Sequence, residues 1–419
     1  MKLFQQTSLT ISVLVLALAS RAQESSKVFV RPLSATMDKA WEVTWNKFYH
    51  PQTNQFYDYL SSYEPGKGLS HLPFRAEVKQ QKPNFYGYDT GMEDCMISAG
   101  VMLSLIIDKH IVTGNPDLAN KASEVLEGVY KSLTVHGQPG FLARCICTDD
   151  NQSIYINSSR DQYTHAVYGL WLLYRSKLAS DEMKFKIRFI LSDIADRMIR
   201  NVIIENDYDF LRADNTRDSR KISRMWNVSG HEAARLPMIY AAAWDVTGRK
   251  EYYQQYNRYV DEAIEQSLNF SEDRPTYALL QMQSSLELIS VVDSNRDFEG
   301  KIDELKNEIA RICVERANRA FQQGENLDLS MPGTDWRLEG EGLYPRGKYR
   351  KVWYCIRESG EAALTQLMSR AGLSSDQQHV LKMAINRLDF NKVSSSGIFY
   401  LQAAYWKARR LGIDTLGNE

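Results

Sequence analysis

Cysteine is scarce in this chain. Its 419 residues hold five, an odd number spread over Cys95, Cys145, Cys147, Cys313 and Cys355. That density excludes a small disulfide-framework scaffold, and neither the cysteines nor the seven scattered histidines match zinc-ligand spacing. No metal site and no cofactor is therefore expected. Cys95 and Cys355 lie in apolar helical contexts and read as buried small hydrophobes, while a bridge between Cys145 and Cys147 is disfavoured on geometric grounds. Charge of one sign is also missing: 51 basic residues are interspersed with 52 acidic ones, for a net charge of −1. Without a basic stripe, nucleic acid is not an expected partner. Long apolar runs are missing too. The run at 9–19 is about eleven residues, against the ~20 needed to span a bilayer, so no membrane span is expected. No Pro/Gly/Ser-rich linker or low-complexity segment divides the chain, and strand signals are confined to a short hairpin expected at 142–155 and an extended piece at 207–212.

What is present begins with that N-terminal run, preceded by Lys2 and followed by Ser20, Arg21 and Ala22. This order reads as a signal peptide over 1–22, with no cysteine beside the cleavage point to carry a lipid. The expectation is a soluble mature protein in the periplasm or secreted, with 23–419 as one catalytic domain.

Apolar residues at helical spacing then predict helices at about 35–49, 91–110, 116–135, 161–176, 181–202, 230–247, 249–268, 275–293, 298–323, 357–371, 375–390 and 395–411. Ser180 and Ser374 stand where N-caps belong, and Gly114 and Gly248 where helices stop. Within successive pairs, one member is poor in charge and rich in small and aromatic residues, as at 166–174. Its partner is laced with charge, as at 181–200. A helix covered on most sides alternating with one that keeps a wet face implies an all-α fold: an (α/α)6 toroid of six helical hairpins.

Four polar clusters precede apolar helical runs: GYDTGMED at Gly87 to Asp94, SSRDQYTH at Ser158 to His165, WNVSGHEAAR at Trp226 to Arg235, and WYCIRESGEAA at Trp353 to Ala363. In a ring of hairpins they converge at one end. Asp94 and Asp161 are the leading pair of catalytic carboxylates, with His231 and Glu232 as a further acid/base candidate. Glu93 is adjacent to Asp94, but neighbouring helical residues diverge by about 100°, so only one of the two faces the ring interior. Asp161 and His165 share a helical face. Glu93, Arg160, Tyr163, His165, Arg224, Trp226, Trp336, Arg357 and Glu358 are candidate substrate contacts. Arg217, Arg220 and Arg346 add to the guanidinium content of the rim, and Trp353 and Tyr344 to the stacking surfaces. Each candidate has a plain structural alternative: acids favour helix N-termini, aromatics fill cores, and Glu358 and Glu361 fit a buried ion pair with Arg357.

With Asp94-Cys95-Met96 at the head of one apolar helix and Arg160-Asp161 at the head of another, the chain resembles the six-hairpin glycosidase superfamily, in particular its unsaturated glucuronyl and rhamnogalacturonyl hydrolases. That resemblance implies an exo-acting glycoside hydrolase on uronic-acid-containing oligosaccharides, using two carboxylates and an arginine that grips the sugar's carboxylate. A polysaccharide lyase, with Tyr163, His165 or His231 as base, and a non-catalytic glycan-binding protein remain open at this point. The partner expected in each case is an anionic oligosaccharide. Oligomeric state leaves no trace in the sequence.

Overall fold

In the computed structural model the described residues are 33–296, 298, 300–338 and 347–413, with the side chains of 347 and 348 excepted. The signal-peptide segment 1–22, Tyr344 and Arg346 lie outside them. The helices in chain order are α1 (Leu33–Val43, continued by a π turn over Thr44–Phe48), α2 (Arg75–Lys79), α3 (Cys95–Thr113), α4 (Leu118–Thr134), α5 (Arg160–Arg175), α6 (Asp181–Asn201) and α7 (Gly230–Ala233). They continue with α8 (Arg235–Thr247), α9 (Lys250–Ser267), α10 (Thr276–Val292), α11 (Lys301–Gly324), α12 (Gly347–Leu367), α13 (Ser375–Asn386) and α14 (Ile398–Arg410).

Helix packing closes a ring. α3 packs on α5, α5 on α8, α8 on α10, α10 on α12, α12 on α14, and α14 back on α3. Outside them lie α4, α6, α9, α11, α13 and α1, each against one or more of the inner helices. The chain therefore forms an (α/α)6 toroid. Its sixth hairpin pairs the outer helix α1 with the inner helix α14 from the far end of the chain.

Composition explains which helix goes where. In α3 every residue from Cys95 to Leu103 is buried, and the helix is apolar enough to cross a membrane by length and composition, with 78% of it buried inside the ring. The outer α4, by contrast, buries only one stripe of apolar residues and leaves its polar face wet. The expected caps form: Ser180 accepts from Met183 N at 3.2 Å, Ser374 accepts from Gln377 N at 3.3 Å, and Gly114 ends α3 with φ 65°. Pro237 cannot donate to the carbonyl of Ala233, which is where α7 ends and α8 takes over.

Three sequence expectations need correction. The segment 142–155 forms turns and not a hairpin; the two-stranded sheet is Tyr49–His50 with Gln55–Phe56, at the start of the 50–88 loop. The helix expected from 357 begins at Gly347, because the charged run ahead of Trp353 hides its periodicity. Cys95 is not a plain buried thiol: it forms a disulfide with Cys145 across 50 residues, with Cα atoms 5.3 Å apart. Cys145 stands on a loop with no regular structure, so spacing along the chain gave no hint that it meets the head of α3.

Candidate active site

The site is built from the heads of α3, α5 and α10, from α12 further along its length, and from the loops that carry Tyr88 and Arg144. Asp94 occupies the N-cap position of α3. The backbone there is held by a wholly buried carboxylate from the 50–88 loop: Asp58 accepts from Glu93 N at 2.8 Å and from Asp94 N at 3.1 Å. This satisfies helix-end donors that have no partner within the helix. The Asp94 side chain is thereby left to other partners. Arg357 Nη1 donates to its Oδ2 at 2.7 Å, Gln162 Nε2 donates to its Oδ1 at 3.1 Å, and Arg144 Nη1 lies 3.9 Å from Oδ1. The disulfide joins Cys95 to Cys145, the neighbours of Asp94 and Arg144, and so ties this acid to this arginine through the backbone.

Arg357 reaches in from the third turn of α12. Its Nε donates to Glu361 Oε1 at 2.5 Å, and its guanidinium lies over Trp353 (4.9 Å), Tyr400 (5.1 Å) and Tyr277 (5.8 Å). Burial drives the Glu361 carboxyl up to about 7 despite the opposing charge of Arg357.

On the next inner helix, Asp161 receives a 2.5 Å bond from Arg235 Nη1. Burial pushes its carboxyl up, but Arg235 and Arg160 more than offset this and hold it below the usual range. Glu232 follows the same pattern: burial raises it, the two arginines lower it further, and Arg160 Nε donates to it at 2.5 Å. His231 Nε2 lies 3.8 Å from Glu232, and burial brings its imidazole down to about 4. The imidazole is therefore neutral at pH 7.

These groups line two connected spaces. An inner cavity of about 110 Å³ is bounded by Tyr88, Asp89, Glu93, Asp94, Ile97, Arg144, Asp161, Tyr277, Arg350, Trp353, Tyr354 and Arg357. An outer one of about 320 Å³ shares Tyr88, Asp161 and Tyr277 with it and adds Arg160, Arg220, His231, Glu232, Arg235 and Arg274 among others. Asp161 stands between them, its side chain 30% exposed, while that of Asp94 is 17% exposed in the inner cavity. Tyr88, whose phenol burial pushes up to about 12, presents a ring to the Arg144 guanidinium at 5.0 Å and stacks on Tyr86. Asp89 adopts a positive φ of 74° and donates its N–H to Glu93 Oε1 at 2.5 Å, so the pair forms a turn ahead of α3.

Of the residues singled out from sequence, Glu93, Asp94, Arg160, Asp161, Arg220, His231, Glu232, Trp353 and Arg357 line these cavities; Glu93 and Asp94 both do so, against the expectation that only one would, because both precede the first helical residue, Cys95. Others do not reach them. Tyr163 is fully buried, takes the N–H of Leu142 at 2.8 Å, donates to Gly140 O at 3.2 Å and packs on Phe210; it is a core residue. His165 lies a turn deeper than Asp161 and lines a separate axial cavity; burial takes its imidazole down to about 3. Trp226 packs in a T-shape on Tyr259, and the Trp336 indole N–H is used by His71 O. Glu358 faces Arg319 of the outer helix α11 and accepts from Thr276 at 2.6 Å. Arg224 pairs with Asp207 at 2.8 Å and offers only its carbonyl to Arg160. In each of these the side chain's face of its helix or turn, which spacing alone does not fix, points away from the cavity.

Arg144 and Tyr277 were not anticipated. Arg144 sits on an irregular loop, where periodicity is silent. Tyr277 follows Pro275 and Thr276 at the start of α10, so position at an inner-helix head was a usable signal. Arg235 lay inside one of the polar clusters and proves to be the partner of Asp161.

No protein family and no curated protein matches this chain. Among solved structures it is similar to a sugar epimerase from a ruminal bacterium, at 11% identity over 67% of this chain and 71% of that one, with a TM-score of 0.41. It is also similar to the alpha-1,6-mannanase GH76A of Salegentibacter sp. HEL1_6. An inactive variant of that enzyme in complex with alpha-1,6-mannotriose matches at 11% identity over 90% and 99% of the two chains (TM-score 0.43), and a further structure of it at 11% over 89% and 98% (TM-score 0.41). Likeness this weak says nothing about activity, and the toroid described above stands on the helix packing of this chain.

Proposed function

We propose that the protein is a carbohydrate-active enzyme, an exo-acting glycoside hydrolase that releases a uronic acid from an oligosaccharide. One observation carries the reading: Asp94 and Asp161, from adjacent inner helices, line the same cavity, and cleavage of a glycosidic bond uses a pair of carboxylates. Tyr88, Tyr277, Trp353 and Tyr354 give that cavity aromatic faces for a sugar ring. Arginine outnumbers carboxylate along the two spaces: Arg144, Arg350, Arg357, Arg160, Arg220, Arg235 and Arg274 against Asp89, Glu93, Asp94, Asp161 and Glu232. An excess of guanidinium favours an anionic sugar.

In this reading Asp161, held ionised by Arg235 and Arg160, is the base or nucleophile, and Asp94 delivers the proton to the leaving oxygen. The Cys95–Cys145 disulfide supports an oxidising location, periplasmic or extracellular, as the signal-like N-terminus does.

A lyase remains a second reading on one observation. His231, neutral and lining the outer cavity beside Arg274, could take a proton next to a uronate. Tyr163 and His165 are not available for that step, since neither reaches the cavities. Incubation with a panel of uronic-acid-containing oligosaccharides separates the readings. Free uronic acid without new ultraviolet absorbance supports the hydrolase, new absorbance supports the lyase, and silence in both channels sinks both.

A further inference from the structure

Inside the ring a single guanidinium serves two carboxylates. Arg357, 4% exposed, donates through Nη1 to Asp94 Oδ2 at 2.7 Å and through Nε to Glu361 Oε1 at 2.5 Å. Glu361 stands one turn further along α12, is 3% exposed, and has no other basic group within ion-pair distance among the described residues. Asp94, by contrast, borders the inner cavity and also lies 3.9 Å from Arg144. One positive charge cannot fully offset two negative ones in the ring interior, and the cost of ionisation falls on the deeper acid. Burial accordingly lifts the Glu361 carboxyl to about 7, so its proton exchanges near neutrality.

Other groups face this pair from the helices packed around it. Tyr400 of α14, Tyr277 of α10 and Cys313 of α11 are held protonated by burial, and burial keeps the His165 imidazole of α5 neutral. Glu358, the next residue of α12 after Arg357, is turned to Arg319 of α11, and Asp94 completes the set from the head of α3. Protonation of Glu361 removes one negative charge from the surroundings of Arg357.

We propose that Glu361 is a positioning residue that makes the hold of Arg357 on an anionic sugar depend on pH, firm when Glu361 is protonated and weaker when it is ionised. Arg357 lines the inner cavity and Glu361 does not, so Glu361 acts through the arginine. An ionised Glu361 competes for the guanidinium and sets a negative charge behind it, and an arriving carboxylate meets both effects. By reciprocity, binding of the anion draws a proton onto Glu361. The inference rests on the reading of the inner cavity as a uronate site and adds the group that regulates it.

Calorimetry with sodium glucuronate at a series of pH values tests it. For the wild type the Kd is expected to rise about tenfold from about pH 6 to about pH 8, and comparison of two buffers of different ionisation enthalpy should show proton uptake on binding. Glu361→Gln keeps the shape of the side chain and an oxygen for Arg357 Nε. Its Kd is expected to stay level over this range, without proton uptake. Wild-type binding that is level with pH, or a pH dependence that survives in Glu361→Gln, would overturn the inference and leave the uronate site standing. Absence of glucuronate binding at every pH overturns both. Should the variant fail to fold, infrared difference spectra of the wild type carrying 13C-labelled glutamate decide: a protonated glutamate band gained on adding glucuronate just above neutral pH is expected, and its absence refutes the inference.

Discussion

Three carboxylates that face the candidate active site have an arginine partner. Asp161 has Arg235, Glu232 has Arg160, and Asp94 shares Arg357 with Glu361. Conversion of Asp94 or Asp161 to Asn retains the shape of the side chain and removes its ability to exchange a proton. Each is expected to lower kcat on the order of 10²- to 10⁴-fold, as steady-state kinetics on the releasing substrate will show. Titration at these sites also marks stability. The His231 imidazole sits at about 4 in the folded protein against 6.5 ordinarily, so the unfolded chain takes up the proton first. Its contribution is complete above pH 6.5 and is lost as pH falls towards 4. Glu361 has the opposite sign: held at about 7 against 4.5, it favours the folded state fully below pH 4.5 and loses that contribution as pH rises through 7. Melting curves across pH 4 to 8 should therefore flatten at the acid side in His231→Gln and at the neutral side in Glu361→Gln. An unchanged profile in Glu361→Gln would show that its carboxyl does not titrate there.

Among elements, the junction of α3 and α5 leaves no room for a side chain. A methyl group at Gly100 would meet the carbonyl oxygen of His165 at 2.0 Å, and one at Gly169 would meet the Gly100 backbone at 2.7 Å. Gly100→Ala must push the two helices apart, an overpacking cost of about 1–3 kcal/mol or more, measurable by denaturant unfolding. The head of α3 carries the second element-scale device, its disulfide to the loop that bears Arg144. Loss of the bridge in Cys95→Ala/Cys145→Ala is expected to cost about 2–4 kcal/mol. Because the bond also ties Arg144 to Asp94, the same variant should raise KM more than it lowers kcat; a melting change without a KM change would assign the bridge to stability alone. The helices themselves were legible because their apolar spacing and caps are local properties. The exception, the early start of α12, came where Arg350, Lys351 and their neighbours interrupt the apolar pattern. Tyr163 and His165 show the corresponding limit for the site. Both stand in a polar cluster at a helix head, yet a rotation of one or two residues around α5 turns them from the cavity into the core or the axis.

For the molecule as a whole, the ring depends on a contact between distant parts of the chain. Phe48, just after α1, meets Phe399 of α14 with ring centroids 5.4 Å apart, and Gln402 donates to Thr44 at 2.9 Å. Phe48 is fully buried. Phe48→Ala is expected to destabilise the whole ring by about 3–5 kcal/mol, since it opens the seam where the sixth hairpin closes; equilibrium unfolding will show whether the transition shifts as one step.

Periodicity, caps and the contrast between bare and charge-laced helices are written along the chain, and they determine an all-α protein of paired helices with polar clusters at the heads of the inner ones. Tertiary structure decided what no local pattern encodes. It brought Arg144 from an irregular loop and Tyr277 from the head of α10 to Asp94 and Asp161, and paired Cys95 with Cys145. The reason is physical: helix formation follows from residues three or four apart, whereas a site follows from the packing of helices tens to hundreds of residues apart.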